Sequence, residues 1–125
     1  MEGNDVDILI VDDSKAMRMI VARVLKKAGY GDNDLREARN GLEALAAIKD
    51  HCPDLVLADW NMPEMSGIEL LQTLRAEKIN VDFGFVTSES TPDMRQKAVL
   101  NGALFFIAKP FTVESFQDVL TLAVK

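Results

Sequence analysis

Five side chains that could do chemistry together each come at the end of a short apolar run of the chain. Three are carboxylates, one is a hydroxyl and one is an ammonium: Asp12, Asp13, Asp59, Thr87 and Lys109. Where such runs are neighbouring strands, the carboxylates crowd and repel, at about 4 kcal/mol for unit charges about 4 Å apart in an effective dielectric of about 20. The cluster therefore needs a cation or a proton, and oxygen ligands with open coordination positions suit Mg²⁺.

The same groups could carry out phosphoryl transfer. Lys109 would supply a point charge, and Thr87 a hydroxyl donor, to an incoming phosphoryl group. One of the carboxylates would act as the nucleophile and form an aspartyl phosphate. The divalent ion would neutralise charge at the attacking and departing oxygens. The residue types alone leave open which carboxylate attacks.

Each of these residues also has an ordinary structural role when it is taken alone. Asp12 and Asp13 could cap the following helix, and Asp59 could belong to a turn. Thr87 could simply end a strand, and Lys109 could be a solvated loop lysine. The coincidence favours a site, because all five lie at one kind of position in one fold.

The apolar runs predict five β-strands. Four of them are compact and apolar on both faces, which is typical of a parallel sheet covered on both sides. The run at Leu35–Ala38 is short and charged, which favours an edge strand. The predicted strands cover residues 6–11, 35–38, 54–58, 83–86 and 104–108.

Five helices are predicted from apolar residues at three- and four-residue spacing. Their predicted faces are Met17, Ile20, Val21, Val24, Leu25 and Ala28; Leu42, Leu45 and Ile48; Ile68, Leu71 and Leu74; Met94, Ala98 and Val99; and Val113, Phe116, Val119, Leu120 and Ala123. Gly29 is predicted to end the first helix and Thr112 to cap the last. Alternating strands and helices predict an α/β fold with a doubly wound five-stranded parallel sheet, whose site lies outside the carboxyl ends of the strands.

The composition narrows the class of protein. A chain of 125 residues suits one domain, predicted over residues 1–125 with a flexible tail at 1–5. The net charge of −6 argues against a nucleic-acid partner, since phosphate contacts need a basic surface. No apolar stretch approaches the roughly 18 residues that span a bilayer, and Cys52 is the single cysteine. We therefore expect a cytoplasmic protein without membrane contact.

Four short stretches of the sequence resemble the response-regulator receiver domain of two-component signalling. They are Asp12-Asp13, residues 59–67 with the letters DWNMPEMSG, Thr87-Ser88 and Lys109-Pro110-Phe111. Each stretch is weak alone, but their order and spacing match over nearly the whole chain. The resemblance implies a flavodoxin-like sheet with the strand order 2-1-3-4-5.

The resemblance also implies roles for the site residues. Asp59 would accept a phosphoryl group from a histidine kinase or a phosphotransfer protein. Asp13 would bind Mg²⁺ directly, and Asp12 directly or through water. The Asp59 carboxylate and the backbone carbonyl of Asn61 would be further metal ligands. Lys109 would contact the acyl phosphate.

A conformational switch is implied as well. The hydroxyl of Thr87 would move toward the phosphoryl group on activation. Phe106, the aromatic residue three positions before Lys109, would be the rotamer switch, although it lacks the hydroxyl of a tyrosine. The output surface is expected on the fourth helix, the fifth strand and the fifth helix, where a protein partner would bind.

The likeness extends to stand-alone chemotaxis-type regulators through residues 60–63 and Glu89. Because the sequence ends at Lys125, directly after the last predicted helix, we expect a stand-alone regulator or an excised receiver. It would act by protein contact, in chemotaxis or a phosphorelay, as a monomer or weak dimer. We expect no enzyme, but a phosphoacceptor that promotes its own phosphorylation and dephosphorylation.

Three other functions suit this fold less well. A small aspartate-nucleophile phosphatase also places acids after the first strand, but its nucleophile usually stands two residues before a second aspartate, unlike Asp12-Asp13-Ser14. A phosphorylation-independent interaction module would not need the complete set of acids, hydroxyl and lysine. A flavin-binding domain of the same topology would need a phosphate-binding loop after the first strand, and none is found there.

Overall fold

The computed structural model describes residues 6–30 and 35–123, so the tail predicted over residues 1–5 lies outside the described residues. Within these ranges, five parallel strands form one sheet in the order β2-β1-β3-β4-β5. The strands are β1 (Ile8–Val11), β2 (Leu35–Ala38), β3 (Leu55–Ala58), β4 (Asp82–Thr87) and β5 (Phe105–Ala108). The predicted fold class and strand order are confirmed, and β2 is an edge strand as predicted.

The ends of four strands differ from the predictions by one or two residues, because cross-strand pairing sets them. Ile8 is the first residue of β1 to pair, with Leu55 of β3. The strand β4 is longer than predicted, since Asp82 also pairs with Leu55 and Thr87 pairs with Ala108.

Five helices in the described part of the chain cover the two faces of the sheet. They are α1 (Lys15–Leu25), α2 (Gly41–Asp50), α3 (Gly67–Ala76), α4 (Pro92–Leu100) and α5 (Val113–Ala123). After α1 the chain makes a π-type turn over Lys26–Tyr30, in which Gly29 has a φ of 103°. The helix therefore ends slightly before the glycine that was predicted to stop it.

Side-chain caps explain where the helices begin. Each cap accepts a hydrogen bond from the backbone N–H three residues further on, which satisfies one of the free donors of the first turn. Thr112 caps α5 as predicted, since its hydroxyl accepts from the N–H of Ser115 at 3.1 Å. The caps of α1 to α4 are Ser14, Asn40, Ser66 and Thr91.

Two apolar clusters lie on the two faces of the sheet. Leu9 and Val11 of β1 pack in the cluster beneath α2 and α3. Ile8 and Ile10 pack in the cluster beneath α1 and α5. All four side chains are buried, as expected for a strand that is covered on both faces.

A glycine in β4 lets an aromatic ring of the neighbouring strand β5 pack directly over the β4 backbone at the second cluster. Gly84 of β4 pairs with Phe105 of β5, and the Phe105 ring lies directly over it. A Cβ atom at position 84 would overlap that ring. The ring therefore fills the volume that a side chain of β4 would otherwise take.

Three residues that the apolar spacing assigned to buried helix faces are exposed instead: Ile20, Leu42 and Val99. In α1 the buried stripe runs through Arg18, Val21 and Leu25. Ile20 lies roughly 100° around the helix from Val21 and so turns away from the sheet. A charged residue, Arg18, thus occupies a buried position that apolar spacing could not indicate.

Candidate functional site

Backbone hydrogen bonds carry the sheet past its strands and place polar side chains at its carboxyl edge. The N–H of Asp59 donates to the carbonyl of Val11 at 2.9 Å, and that of Lys109 donates to the carbonyl of Thr87 at 2.9 Å. The N–H of Asp12 donates in the same way to the end of β2. The side chains that follow β1, β3 and β5, and that of Thr87 at the end of β4, are therefore positioned by the sheet itself.

Lys109 lies between two of the carboxylates. Its Nζ atom is 3.2 Å from Oδ2 of Asp12 and 3.4 Å from Oδ2 of Asp59. All three side chains are largely buried, with at most 14% exposed, so these charge-assisted hydrogen bonds are weakly screened. The other oxygen of each carboxylate accepts from a backbone N–H, of Ser14 at 2.9 Å and of Trp60 at 2.7 Å.

Asp13 completes an acidic group that could hold a metal ion. One carboxylate oxygen from each of Asp12, Asp13 and Asp59 lies within 4.8 Å of the others. Asp13 is the exposed member, so its side chain faces the opening of the site. The three carboxylates and Lys109 together have a formal charge of −2. The carboxylates offer hard oxygen donors, and such a donor set fits Mg²⁺.

Two loops meet beside this acidic group. The side-chain amide of Asn61, after β3, donates to Oε1 of Glu89, after β4, at 2.6 Å. The N–H of Glu89 donates in turn to the hydroxyl of Thr87 at 3.4 Å. Thr87 is fully buried, so this hydroxyl connects the interior of the site to the loop outside it.

The loop after Asp59 is packed against α3 through a glycine. A Cβ atom at Gly67 would overlap the backbone oxygen of Asp59 and press on the Phe85 ring. The N–H of Gly67 also donates to the carbonyl of Trp60 at 2.8 Å. The sequence analysis missed this positioning role, for which the only signal was a glycine directly after the cap Ser66.

The start of α3 is held by a reciprocal cap. The hydroxyl of Ser66 accepts from the N–H of Glu69 at 3.2 Å, and the Glu69 carboxylate accepts from the N–H of Ser66 at 2.9 Å. Hydrogen bonding of the Glu69 carboxylate to Ser66, chiefly to its backbone N–H and then to its side chain, holds the pKa of Glu69 below its ordinary value of 4.5. The cap thereby anchors the far end of the loop that begins at Asp59.

Phe106, the predicted switch residue, lies half-buried on β5 beside two other rings. Its centroid is 5.8 Å from that of Phe85 and 6.3 Å from that of Trp60. The guanidinium carbon of Arg95, from α4, lies 4.7 Å from its centroid. Arg95 also donates to the hydroxyl of Ser90 at 2.7 Å, so it links the ring to the loop between β4 and α4.

The five side chains of the sequence prediction thus meet at one edge of the sheet, together with Asn61. Phe106 lies apart from this group, on β5 three residues before Lys109, with the rings of Phe85 and Trp60 beside it. Within residues 6–30 and 35–123, no helix has both the length and the apolar character needed to cross a bilayer.

Known proteins are similar to this chain in sequence and in fold. A family model described as the response regulator receiver domain matches residues 8–121. Chemotaxis protein CheY-3 of Vibrio cholerae is 37% identical over 120 residues, which cover 94% of this chain and 91% of that protein. Sporulation initiation phosphotransferase F of Bacillus subtilis is 38% identical over 111 residues, covering 89% and 87% of the two chains.

The fold of a solved structure agrees with these sequence matches. Chemotaxis protein CheY4 of Vibrio cholerae superimposes with a TM-score of 0.83 at 30% identity, over 95% of this chain and 98% of that chain. The family match runs from β1 into α5, and both relatives support it over most of their length. The chain therefore belongs to the response regulator receiver domains, the phosphoacceptor modules of two-component signalling.

Proposed function

We propose that this chain, as a single receiver domain over residues 1–125, takes a phosphoryl group onto Asp59 in a reaction that depends on Mg²⁺. The donor would be a phosphohistidine on a histidine kinase or a phosphotransfer protein. The observation that carries the proposal is the double contact of Lys109 with Asp59 and Asp12. It supports the proposal because the Asp59 carboxylate, a cation that could pair with the incoming charge and the acidic group lie at one edge of the sheet.

The chemistry follows from these positions. A carboxylate oxygen of Asp59 attacks phosphorus, and the new O–P bond forms as the bond to the donor nitrogen breaks. The electron pair of that bond leaves with the imidazole. The ammonium of Lys109, already at the Asp59 carboxylate, pairs with the charge on the phosphoryl oxygens.

The metal requirement rests on the acidic group. Asp12, Asp13, the Asp59 carboxylate and the backbone carbonyl of Asn61 would hold Mg²⁺, which when bound would neutralise charge on the attacking carboxylate oxygen and on the oxygens of the phosphoryl group. The same residues would stabilise attack by water on the aspartyl phosphate. The domain would therefore promote both its own phosphorylation and its own dephosphorylation.

The switch would begin at Thr87. Its buried hydroxyl accepts a long hydrogen bond from Glu89, which is weak enough to exchange for one to a phosphoryl oxygen on Asp59. That movement would release the N–H of Glu89 and shift the loop that carries Ser90. Because Arg95 bonds to Ser90, the shift would reach the Phe106 ring.

The partner is proposed to bind the face made by α4, β5 and α5. Exposed apolar side chains on and after α4 support this, namely Val99, Leu100 and Leu104. The names of the relatives suggest chemotaxis or a phosphorelay as the setting, with the chain acting as a monomer or weak dimer.

Intact-mass analysis tests the phosphoacceptor. After treatment with acetyl phosphate and Mg²⁺, the wild type should carry one phosphoryl group. The adduct should be absent from Asp59→Asn and present in Asp50→Asn, a matched change of an exposed aspartate on α2. A full adduct on Asp59→Asn would show that another residue is the nucleophile.

A further inference from the structure

Arg18 of α1 is an unusual residue for its place. Among the described residues, three polar or charged side chains are buried, namely Asp12, Arg18 and Thr87. Asp12 and Thr87 belong to the site at the carboxyl edge. Arg18 is only 8% exposed, and arginine is rarely buried unless it is paired.

The guanidinium of Arg18 joins three elements. Its Nη1 donates to the backbone carbonyl of Asp12 at 2.7 Å, and its Nε donates to Oε1 of Glu37 on β2 at 2.7 Å. The N–H of Asp12 donates to the carbonyl of Ala38 at 3.1 Å. The backbone of Asp12 is therefore held at its N–H by β2 and at its carbonyl by α1.

This grip acts on the next residue, Asp13. The carbonyl of Asp12 and the N–H of Asp13 belong to one planar peptide unit, so holding the first orients the second. The two carboxylate oxygens of Asp12 already bond to Ser14 and Lys109. Asp13 has the exposed carboxylate of the acidic group, and its direction depends on the backbone from which it starts.

The ion pair of Arg18 accounts poorly for its burial. The Glu37 side chain is 47% exposed, so water screens the pair while the guanidinium remains desolvated. An apolar side chain at this position would extend the buried stripe of Val21 and Leu25. What an apolar side chain would lack is the hydrogen bond to the carbonyl of Asp12.

We propose that Arg18 is a positioning residue for the metal site, which orients Asp13 through the backbone of Asp12. The inference rests on the proposed Mg²⁺ site and adds to it a residue outside the ligand set. Partners behind a metal ligand typically change metal affinity about 10- to 100-fold when they are removed.

The sign of the effect separates this role from two simpler ones. By charge alone, removal of a cation beside an acidic group should tighten Mg²⁺ binding. A purely structural arginine should change the stability of the protein and leave the Mg²⁺ affinity of the folded form unchanged. A positioning residue should weaken Mg²⁺ binding when it is replaced, although the replacement makes the site more negative.

The test is an Mg²⁺ titration of the full chain, followed by the fluorescence of Trp60, the single tryptophan, which adjoins Asp59. Arg18→Met, which keeps the bulk and removes the donors, should weaken binding about tenfold. Arg23→Met removes the same charge from an exposed position on the same helix and should leave the affinity unchanged or slightly tighter. Thermal unfolding of each variant without Mg²⁺ reports its stability separately.

Arg18→Lys keeps the proposal testable if Arg18→Met does not fold. Lysine preserves the charge but lacks the fork that reaches both Glu37 and Asp12, so binding should again weaken, by a smaller factor. An affinity equal to or tighter than wild type in the folded Arg18 variants would overturn the positioning role alone. A wild type without an Mg²⁺ response would overturn the metal site, and this inference with it.

Discussion

The Phe106 ring is held from two sides by different interactions. On the inner side it packs with Phe85 and Trp60, and on the outer side the guanidinium of Arg95 lies over it. A cation over a ring face is worth about 0.5–1 kcal/mol at an exposed site. The ring has no hydroxyl, so the two states of the proposed switch would differ in packing and in this cation contact, without a side-chain hydrogen bond.

Substitution of Phe106 should separate the switch from the chemistry. Phe106→Leu keeps much of the apolar volume and should retain more of the phosphorylation-dependent partner binding than Phe106→Ala. The alanine variant should also lose roughly 2 kcal/mol of unfolding free energy, since the ring is half-buried. Phosphorylation at Asp59 should change little in either, which intact mass and partner titration would check; slow phosphorylation of the leucine variant would contradict this.

The site residues differ in how far the sequence could predict them. Asp12, Asp59 and Lys109 were predictable, because each follows an apolar run and parallel strands end at a common edge. Arg18 and Gly67 were not predictable, because their roles depend on how α1 and α3 lie against the sheet. A charge within an apolar stripe and a glycine after a cap are both common in helices that position no site.

The capping box of α3 connects helix formation to the site. Ser66 and Glu69 fix the first turn of the helix, and Gly67 then presses that turn against the carbonyl of Asp59. A loosened cap would therefore loosen the backbone that carries the proposed nucleophile. The Glu69 carboxylate accepts one of the two hydrogen bonds of the cap. We therefore expect the strength of the cap to depend on whether that carboxylate is ionised.

The stability contribution of Glu69 should depend on pH in a defined direction. Hydrogen bonds from Ser66 place the folded-state pKa of Glu69 below 4.5. The contribution is therefore complete above that ordinary value and is lost as the pH falls through the folded-state pKa. Near neutral pH, Glu69→Gln should unfold at a lower urea concentration than wild type. The difference between the two urea midpoints should shrink in acid.

Urea unfolding at several pH values would measure this difference. Glu64→Gln, at an exposed position of the preceding loop, is the matched control for loss of a carboxylate outside the cap, and its urea midpoint near neutral pH should stay close to that of wild type. A gap between Glu69→Gln and wild type that stays constant into acid would contradict the assigned role of the carboxylate.

The strands were more predictable than the helix faces. Short apolar runs indicated the five strands, because buried strands of a parallel sheet carry apolar residues on both faces. The predicted buried faces of the helices were too wide, because they included Ile20, Leu42 and Val99, all of which are exposed. Apolar spacing shows the direction of a stripe, but the closeness of the neighbouring helices decides how much of it is covered.

The helix α4 is anchored at one end. Arg75, in the last turn of α3, donates to the carbonyls of Ile79, Asn101 and Gly102 at 2.9, 3.3 and 3.2 Å. The chain after α4 is thereby tied to α3. The other end of α4 follows the loop after Thr87. A conformational change at the site is therefore expected to move that end of the helix more than the end that Arg75 holds.

Chemical shifts should therefore change unevenly when beryllofluoride and Mg²⁺ mimic the phosphoryl group. Beyond the acidic edge, the largest shifts should fall on the loop after Thr87, the first turn of α4 and Phe106. Backbone signals of Asn101 and Gly102 should shift less, because Arg75 holds their carbonyls. If the largest shifts fell instead on α1 and α2, the proposed output face would be wrong.

The close packing of the Phe105 ring over Gly84 has a consequence for how the two positions can change in evolution. The two residues lie on different strands, and the ring fills the space that a Cβ atom at position 84 would need, so a side chain at position 84 requires either a smaller residue at position 105 or a shift of β4 and β5. Related sequences that gain a side chain at position 84 are expected to carry a smaller residue at position 105. Positions 84 and 105 are therefore expected to covary among related sequences, because the packing between the two strands depends on both residues together.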